Sequence, residues 1–260
     1  MDDYYLNQRG LAAYFESQWL DKLRESGVNE KLECRSSPVP DSFVFSQYSI
    51  GVSQFIGNAC RDAGVSPQHV IEIGPALGWN CYEVIQSFPS IKSMTVVEPS
   101  KRLLTNLRRI LVDGMKCEFP YIKGLSQIGY LNFDASLISE KCSHVIFNLV
   151  ENSFTCDVIE DSLELVICLN VLDQCESPTI LVEALKKVTD VNGILILSCT
   201  YQWSSKHLKD KSEAVDDIND YFGDGWIKLS EIDYEYRIRS NERYSLLFLS
   251  HAVAYQRVGV

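Results

Sequence analysis

Short apolar runs alternate with amphipathic stretches along most of this chain. Near its start Leu11, Tyr14, Phe15, Trp19, Leu20 and Leu23 recur at close to helical spacing, which predicts a helix over 2–26. The segment 32–42 carries two prolines and reads as a linker; helical periodicity then resumes over 43–64 and stops at Gly64. From His69 the pattern changes. HVIEI (69–73), MTVVE (94–98), HVIFNLV (144–150), LELVICL (163–169) and GILILSCT (193–200) read as strands. The stretches 78–88, PSKRLLTNLRRIL after Glu98, and 177–189 read as helices. Short apolar strands separated by amphipathic helices predict a doubly wound, mainly parallel sheet covered on both faces. Near the end, EYRIRS and YSLLFLSHAVAYQRV flank the short polar link 241–243 and predict an antiparallel hairpin at one sheet edge. Residues 113–142 follow no clear period and read as an irregular insertion. The resulting division is an N-terminal helical extension or lid, 1–65, followed by one α/β domain, 66–260.

Composition narrows the partners. The chain has 260 residues, 46% hydrophobic and 23% charged, an ordinary globular balance. Its net charge of -11 disfavours nucleic acid and anionic membrane surfaces, which demand basic faces. No uninterrupted apolar run approaches ~18 residues, so no membrane-spanning helix is expected. The acidic, polar start MDDYYLNQRG is unlike a signal peptide. The nine cysteines form no CxxC pair and several sit in apolar runs, as small hydrophobes in a reducing cytoplasm would. With the four histidines scattered, no metal site is expected. A cytoplasmic protein follows, with homodimer formation through edge strands or the 113–142 segment left open.

The chemistry concentrates in VIEIGPALGWN, 70–80, where a carboxylate interrupts an apolar strand just before a glycine turn. Neither a GxGxxG dinucleotide fingerprint nor a P-loop can be drawn here. Either Glu72 is a polar residue satisfied inside a core, or it faces a ligand bound on that turn, at the carboxyl ends of the strands where open α/β sheets bind.

Glu72-x-Gly74-x-x-x-Gly78 resembles motif I, (D/E)xGxxxG, of the class I S-adenosylmethionine-dependent methyltransferases, with Ala76 at the usual middle glycine. The resemblance extends over about 66–200. It implies the Rossmann-like seven-stranded fold with its antiparallel terminal hairpin, and S-adenosyl-L-methionine as cofactor. It further implies that Glu72, Gly74, Pro75, Ala76, Gly78 and Asn80 form the loop at the amino-acid end. Glu98 and Pro99, ending the second strand, would take the ribose, and Glu151 and Asn152, after the third, would lie near the adenine. Leu169 and Asn170 would line the sulfur and the substrate entrance.

The acceptor side is less patterned. CLNVLDQCESP, 168–178, resembles the Asn-Leu-Leu-Asp-Arg-Cys segment of protein-histidine methyltransferases. CTYQW and YRIRSNERYSLLFLSHAVAYQR resemble the mercaptohistidine N-methyltransferases of ovothiol synthesis, although the family's Trp-Leu-Gly-Gly segment is absent. A small amino-acid-like acceptor, methylated at a ring nitrogen, is the reading these imply. A protein histidine, or a non-catalytic binding module of the same fold, are the alternatives. Arg237, Arg239 or Arg243 would bind a substrate carboxylate in fork geometry. Tyr201, Trp203 and His207 would wall an imidazole-sized acceptor, and Tyr4 and Tyr5 would close over the cofactor.

Overall fold

The structure, a computed structural model, describes residues 7–20, 22, 48–155, 163–203, 205–241 and 243–259. The expected linker at 32–42 and the lid residues Tyr4 and Tyr5 lie outside the described residues. In chain order the helices are α1 (Gln8–Phe15), α2 (Tyr48–Asp62), α3 (Trp79–Ser87), α4 (Lys101–Leu111), α5 (Ser136–Cys142) and α6 (Pro178–Val188). The strands are β1 (His69–Ile73), β2 (Ser93–Val97), β3 (Lys116–Lys123), β4 (Gln127–Asp134), β5 (Ile146–Val150), β6 (Leu163–Leu169), β7 (Thr189–Cys199), β8 (Trp226–Asn241) and β9 (Tyr244–Arg257). A π-helical turn, Glu16–Leu20, continues α1.

Local sequence explains the elements. Ser100 caps α4, accepting from the Leu103 amide, and Arg108 and Arg109 complement the dipole in its last turn. Leu103, Leu104, Leu107, Ile110 and Leu111 form its buried face. Ser177 caps α6 just before Pro178, whose fixed φ and missing N–H suit a first helical position.

Seven strands form one sheet in the order β5-β2-β1-β6-β7-β9-β8. Strands β5, β2, β1, β6 and β7 run parallel, and β9 and β8 add an antiparallel edge. Alternate residues feed two cores. Val70, Met94, Val96, Leu165 and Ile167 pack with α2, α3 and α4 on one face. Ile71, Ile73, Val166, Cys168, Leu195 and Leu197 pack with α6 on the other. Glu72 shares the pleat of Val70 and so points toward α2 and α3. Strand order reverses between β1 and β6, and a crevice opens there at their carboxyl ends.

Residues 113–142 are not irregular. Strands β3 and β4 pair in unbroken antiparallel register from Lys116↔Asp134 to Lys123↔Gln127 and form a separate two-stranded sheet. Pro120 obscures the strand pattern but is tolerated because each strand of a two-stranded ribbon has a free edge. The ribbon binds the N-terminal segment. Phe15 stacks on Phe119 with centroids 4.3 Å apart and meets Phe133 edge-on at 5.1 Å. Among the described residues, no helix is long and apolar enough to cross a membrane.

Candidate cofactor and acceptor site

Strand β1 delivers Glu72 to the crevice, only 2% exposed. Its carboxylate accepts from the Asn80 amide at 3.0 Å and from the Cys81 thiol at 2.9 Å, both in the first turn of α3. Between strand and helix the chain turns through three left-handed residues, Gly74 (φ 67°), Ala76 (φ 54°) and Gly78 (φ 82°). Both positive φ values favour glycine, and the space beside each is tight. A Cβ at Gly74 would lie 2.6 Å from Val171 across the strand switch, and one at Gly78 would lie 2.7 Å from Leu111. Ala76 holds a conformation that costs an L-residue roughly 1–2 kcal/mol.

Glu98 follows β2 and is 5% exposed. It accepts from the Ser100 amide at 2.8 Å and is also hydrogen-bonded by the Ala76 backbone. Burial pushes both Glu72 and Glu98 up to about 7, against the opposing pull of their donors. Two carboxyl groups at the ends of adjacent strands thus stand half-ionised near neutrality.

Both open onto a cavity of about 870 Å³. Gly74, Pro75, Ala76, Asn80, Pro99, Leu169 and Asn170 line it as well, as do His207 and Arg239. Gly78 stands behind it as the N-cap of α3. Glu151 and Asn152 are exposed and outside the lining; Ser153, Phe154 and Thr155 reach it instead. Strand β5 ends at Val150, and the chain needs a few residues beyond the sheet edge to come back over the crevice.

Tyr201 and Trp203 do not wall the cavity. They pack against the α6-side core. The Tyr201 hydroxyl shares a 2.6 Å hydrogen bond with His251 Nδ1 and accepts from the Ile218 amide, and the Trp203 indole donates to the Val215 carbonyl. Their polar atoms hold the chain that follows β7. Tyr201→Phe is expected to lower stability by about 1–3 kcal/mol, because it strips the partner from the buried Ile218 amide. Calorimetric ligand affinity should stay at the wild-type value; a change would return Tyr201 to the site.

Arg239 lines the cavity, but its guanidinium, 5% exposed, is ion-paired with the buried Glu16 of the π-turn. Arg237 is the more exposed neighbour and pairs with Glu235 at 2.5 Å. Arg243 is exposed and outside the lining.

Asn170 belongs to a buried polar cluster whose other members, Tyr48, Ser198 and Ser250, had no part in the sequence-based expectations. Asn170, itself left-handed (φ 54°), donates to the Tyr48 hydroxyl at 2.9 Å and accepts from Ser198 and Ser250. Tyr48 and Ser198 lie 2.9 Å apart, and burial raises the Tyr48 phenol well above its ordinary range, so it stays neutral. Tyr48 and Asn170 present this network to the cavity. Its signal was Ser198, the first polar residue to interrupt the apolar run GILILSCT, as Glu72 interrupts VIEIG.

No family model matches the chain, and no curated protein matches it. Solved structures do. N-methyltransferase NodS from Bradyrhizobium japonicum WM9, in complex with S-adenosyl-L-homocysteine, aligns with a TM-score of 0.53 at 11% identity, over 85% of this chain and 93% of that one. Magnesium protoporphyrin IX methyltransferase (ChlM) from Synechocystis PCC 6803, with bound SAM, aligns with a TM-score of 0.52 at 14% identity, over 97% of this chain and 98% of that one. At such identities the likeness is one of architecture, and the architecture this chain has is the class I methyltransferase fold.

Proposed function

We propose that this chain binds S-adenosyl-L-methionine and transfers its methyl group to a small amino-acid-like acceptor, at a ring nitrogen. The observation that carries the reading is the pair of buried carboxyl groups, Glu72 and Glu98, opening onto one cavity from neighbouring strands. The donors to Glu72 are neutral, so a cationic ligand end would supply the charge that burial withholds. The Trp79 indole N–H, in the cavity wall, is buried with no partner among the described residues, the kind of orphan donor that ligand sites carry.

In this reading Glu72 holds the cofactor's ammonium, Glu98 accepts from its ribose hydroxyls, and Val97, Leu103 and Phe154 give the base an apolar wall. When bound, the cofactor supplies an electrophilic methyl carbon on a sulfonium. The protein's own task is to bring a lone pair in line with that carbon. Asn170, fixed by its hydrogen bonds, and the neutral Tyr48 orient the acceptor, Arg237 meets its anionic group, and His207 takes the proton that the ring's other nitrogen releases once the attacking nitrogen is methylated. Tyr14, Ser17 and Gln18 cover one side of the cavity, which favours a small molecule over a protein side chain. The ring-nitrogen acceptor rests on the resemblance to mercaptohistidine methyltransferases.

The test is calorimetric titration with S-adenosylhomocysteine after any co-purified ligand is removed. One site is expected. Both carboxyl groups must ionise to bind, so affinity should rise with pH toward about 7 and level off above it. Absence of binding by folded, ligand-free protein would overturn the cofactor reading. Affinity that is flat between about pH 6 and 8 would overturn the roles given to Glu72 and Glu98.

A further inference from the structure

The turn between β1 and α3 cannot satisfy its own backbone. Gly74 donates to the Val97 carbonyl at 2.9 Å, and Gly78 closes back on Pro75 at 3.0 Å. The Leu77 amide, between two left-handed residues, finds its partner outside the turn. Leu77 is fully buried, so water is no substitute. Its N–H donates to the Gln18 side-chain oxygen at 2.9 Å. The Gln18 amide nitrogen faces the Pro75 carbonyl at 3.4 Å, and the Trp19 indole donates to the Leu77 carbonyl at 3.0 Å.

Gln18 and Trp19 belong to the π-helical turn Glu16–Leu20. Such turns are rare and collect at functional sites. This one is anchored at its first residue, where Glu16 pairs with Arg239 and accepts from the Ile122 amide. It is therefore a fixed bracket, holding the loop from a segment far away in sequence. What it holds matters for binding: Ala76, the strained neighbour of Leu77, lines the cavity and hydrogen-bonds Glu98 through its backbone.

We propose that Gln18 is a positioning residue for cofactor capture, acting through the Leu77 amide to keep the strained Gly74–Gly78 turn in its ligand-ready shape. The role rests on the cofactor reading above. Ala76, held at positive φ without glycine's freedom, has cheaper shapes available. The Gln18 oxygen excludes them, because every alternative leaves the buried Leu77 N–H without a partner. Preorganisation of this kind appears as affinity.

Two variants of the full chain test it. Gln18→Leu keeps the size and removes the oxygen; Gln18→Glu keeps an oxygen for the Leu77 amide. Each is titrated with S-adenosylhomocysteine well below its melting temperature. Amide hydrogen exchange of the peptide containing Leu77 is followed in ligand-free protein. Gln18→Leu is expected to weaken binding roughly ten-fold and to speed exchange at Leu77, and Gln18→Glu to stay near wild type in both. If Gln18→Leu only melts lower and binds as the wild type does, the role is overturned. Equal losses in Gln18→Leu and Gln18→Glu overturn it too. A wild type that takes no S-adenosylhomocysteine, with slow exchange at Leu77, overturns the cofactor reading itself and this role with it.

Discussion

At pH 8 a protein carrying Glu72→Gln and Glu98→Gln is expected to melt above the wild type while binding no S-adenosylhomocysteine. Both carboxyl groups are raised from an ordinary value of 4.5 to about 7 by burial. A raised acid favours the protonated form in the folded state. The folded protein therefore holds more protons than the unfolded chain between about pH 4.5 and 7, and stability falls as pH rises through that window. Above it the loss is complete, at about 3 kcal/mol for each group. Glutamine keeps the shape and an oxygen for the Asn80, Cys81 or Ser100 donors and carries no charge, so the variant escapes the loss. It cannot hold a cation or accept from two hydroxyls as a carboxylate does. Thermal melts of both proteins across pH 4.5 to 8 decide the matter. The wild-type curve should fall away from the variant curve as pH rises; parallel curves would mean that neither group is raised. Gain of stability with loss of binding is the signature of a functional site rather than of a core.

The second large effect lies at the buried pair of Arg239 and Glu16. Arg239→Met should cost about 3–5 kcal/mol in urea denaturation, because it leaves the Glu16 carboxylate charged, buried and without its cation. Adding Glu16→Gln should restore most of the loss, since the glutamine oxygen still serves the Ile122 amide and no charge remains. A double variant as unstable as the single one would locate the cost in packing of the arginine stem instead. Arginine on a strand near a cleft reads as a carboxylate binder, but here the partner is the protein's own carboxylate. Arg237, two residues away on the same strand and more exposed, also lines the cavity, with Glu235 as an ion-pair partner.

These cases show what the sequence made legible. The sheet was readable because its central parallel strands β1, β6 and β7 are buried on both faces and so appear as compact apolar runs. Glu72, Glu98 and Asn170 were readable because each sits at the end of such a run, where the strand switch gathers them. Glu151 and Asn152 also end a run, but at an outer strand, whose chain returns to the cavity only at Ser153–Thr155. Tyr201 and Trp203 follow the last parallel strand, where no period fixes direction, and the chain carries them into the α6-side core. The β3–β4 ribbon was hidden by Pro120. Gln18 and the partner of Arg239 were beyond reach for a different reason: their contacts join segments that no local pattern relates.

The span between Glu16 and Arg239, 223 residues, also sets an order of events during synthesis. A ribosome adding about 5–20 residues each second makes Glu16 on the order of ten seconds or more before its cation emerges. Strand β9 is made after β8, yet it lies between β7 and β8. The nascent chain can build its central parallel strands early, but it cannot bury Glu16 at matched charge until the terminal hairpin has been released. The bracket that steadies the Gly74–Gly78 turn is thus completed only after β8 has been made, and a product ending before β8 would carry the carboxylates without a finished pocket.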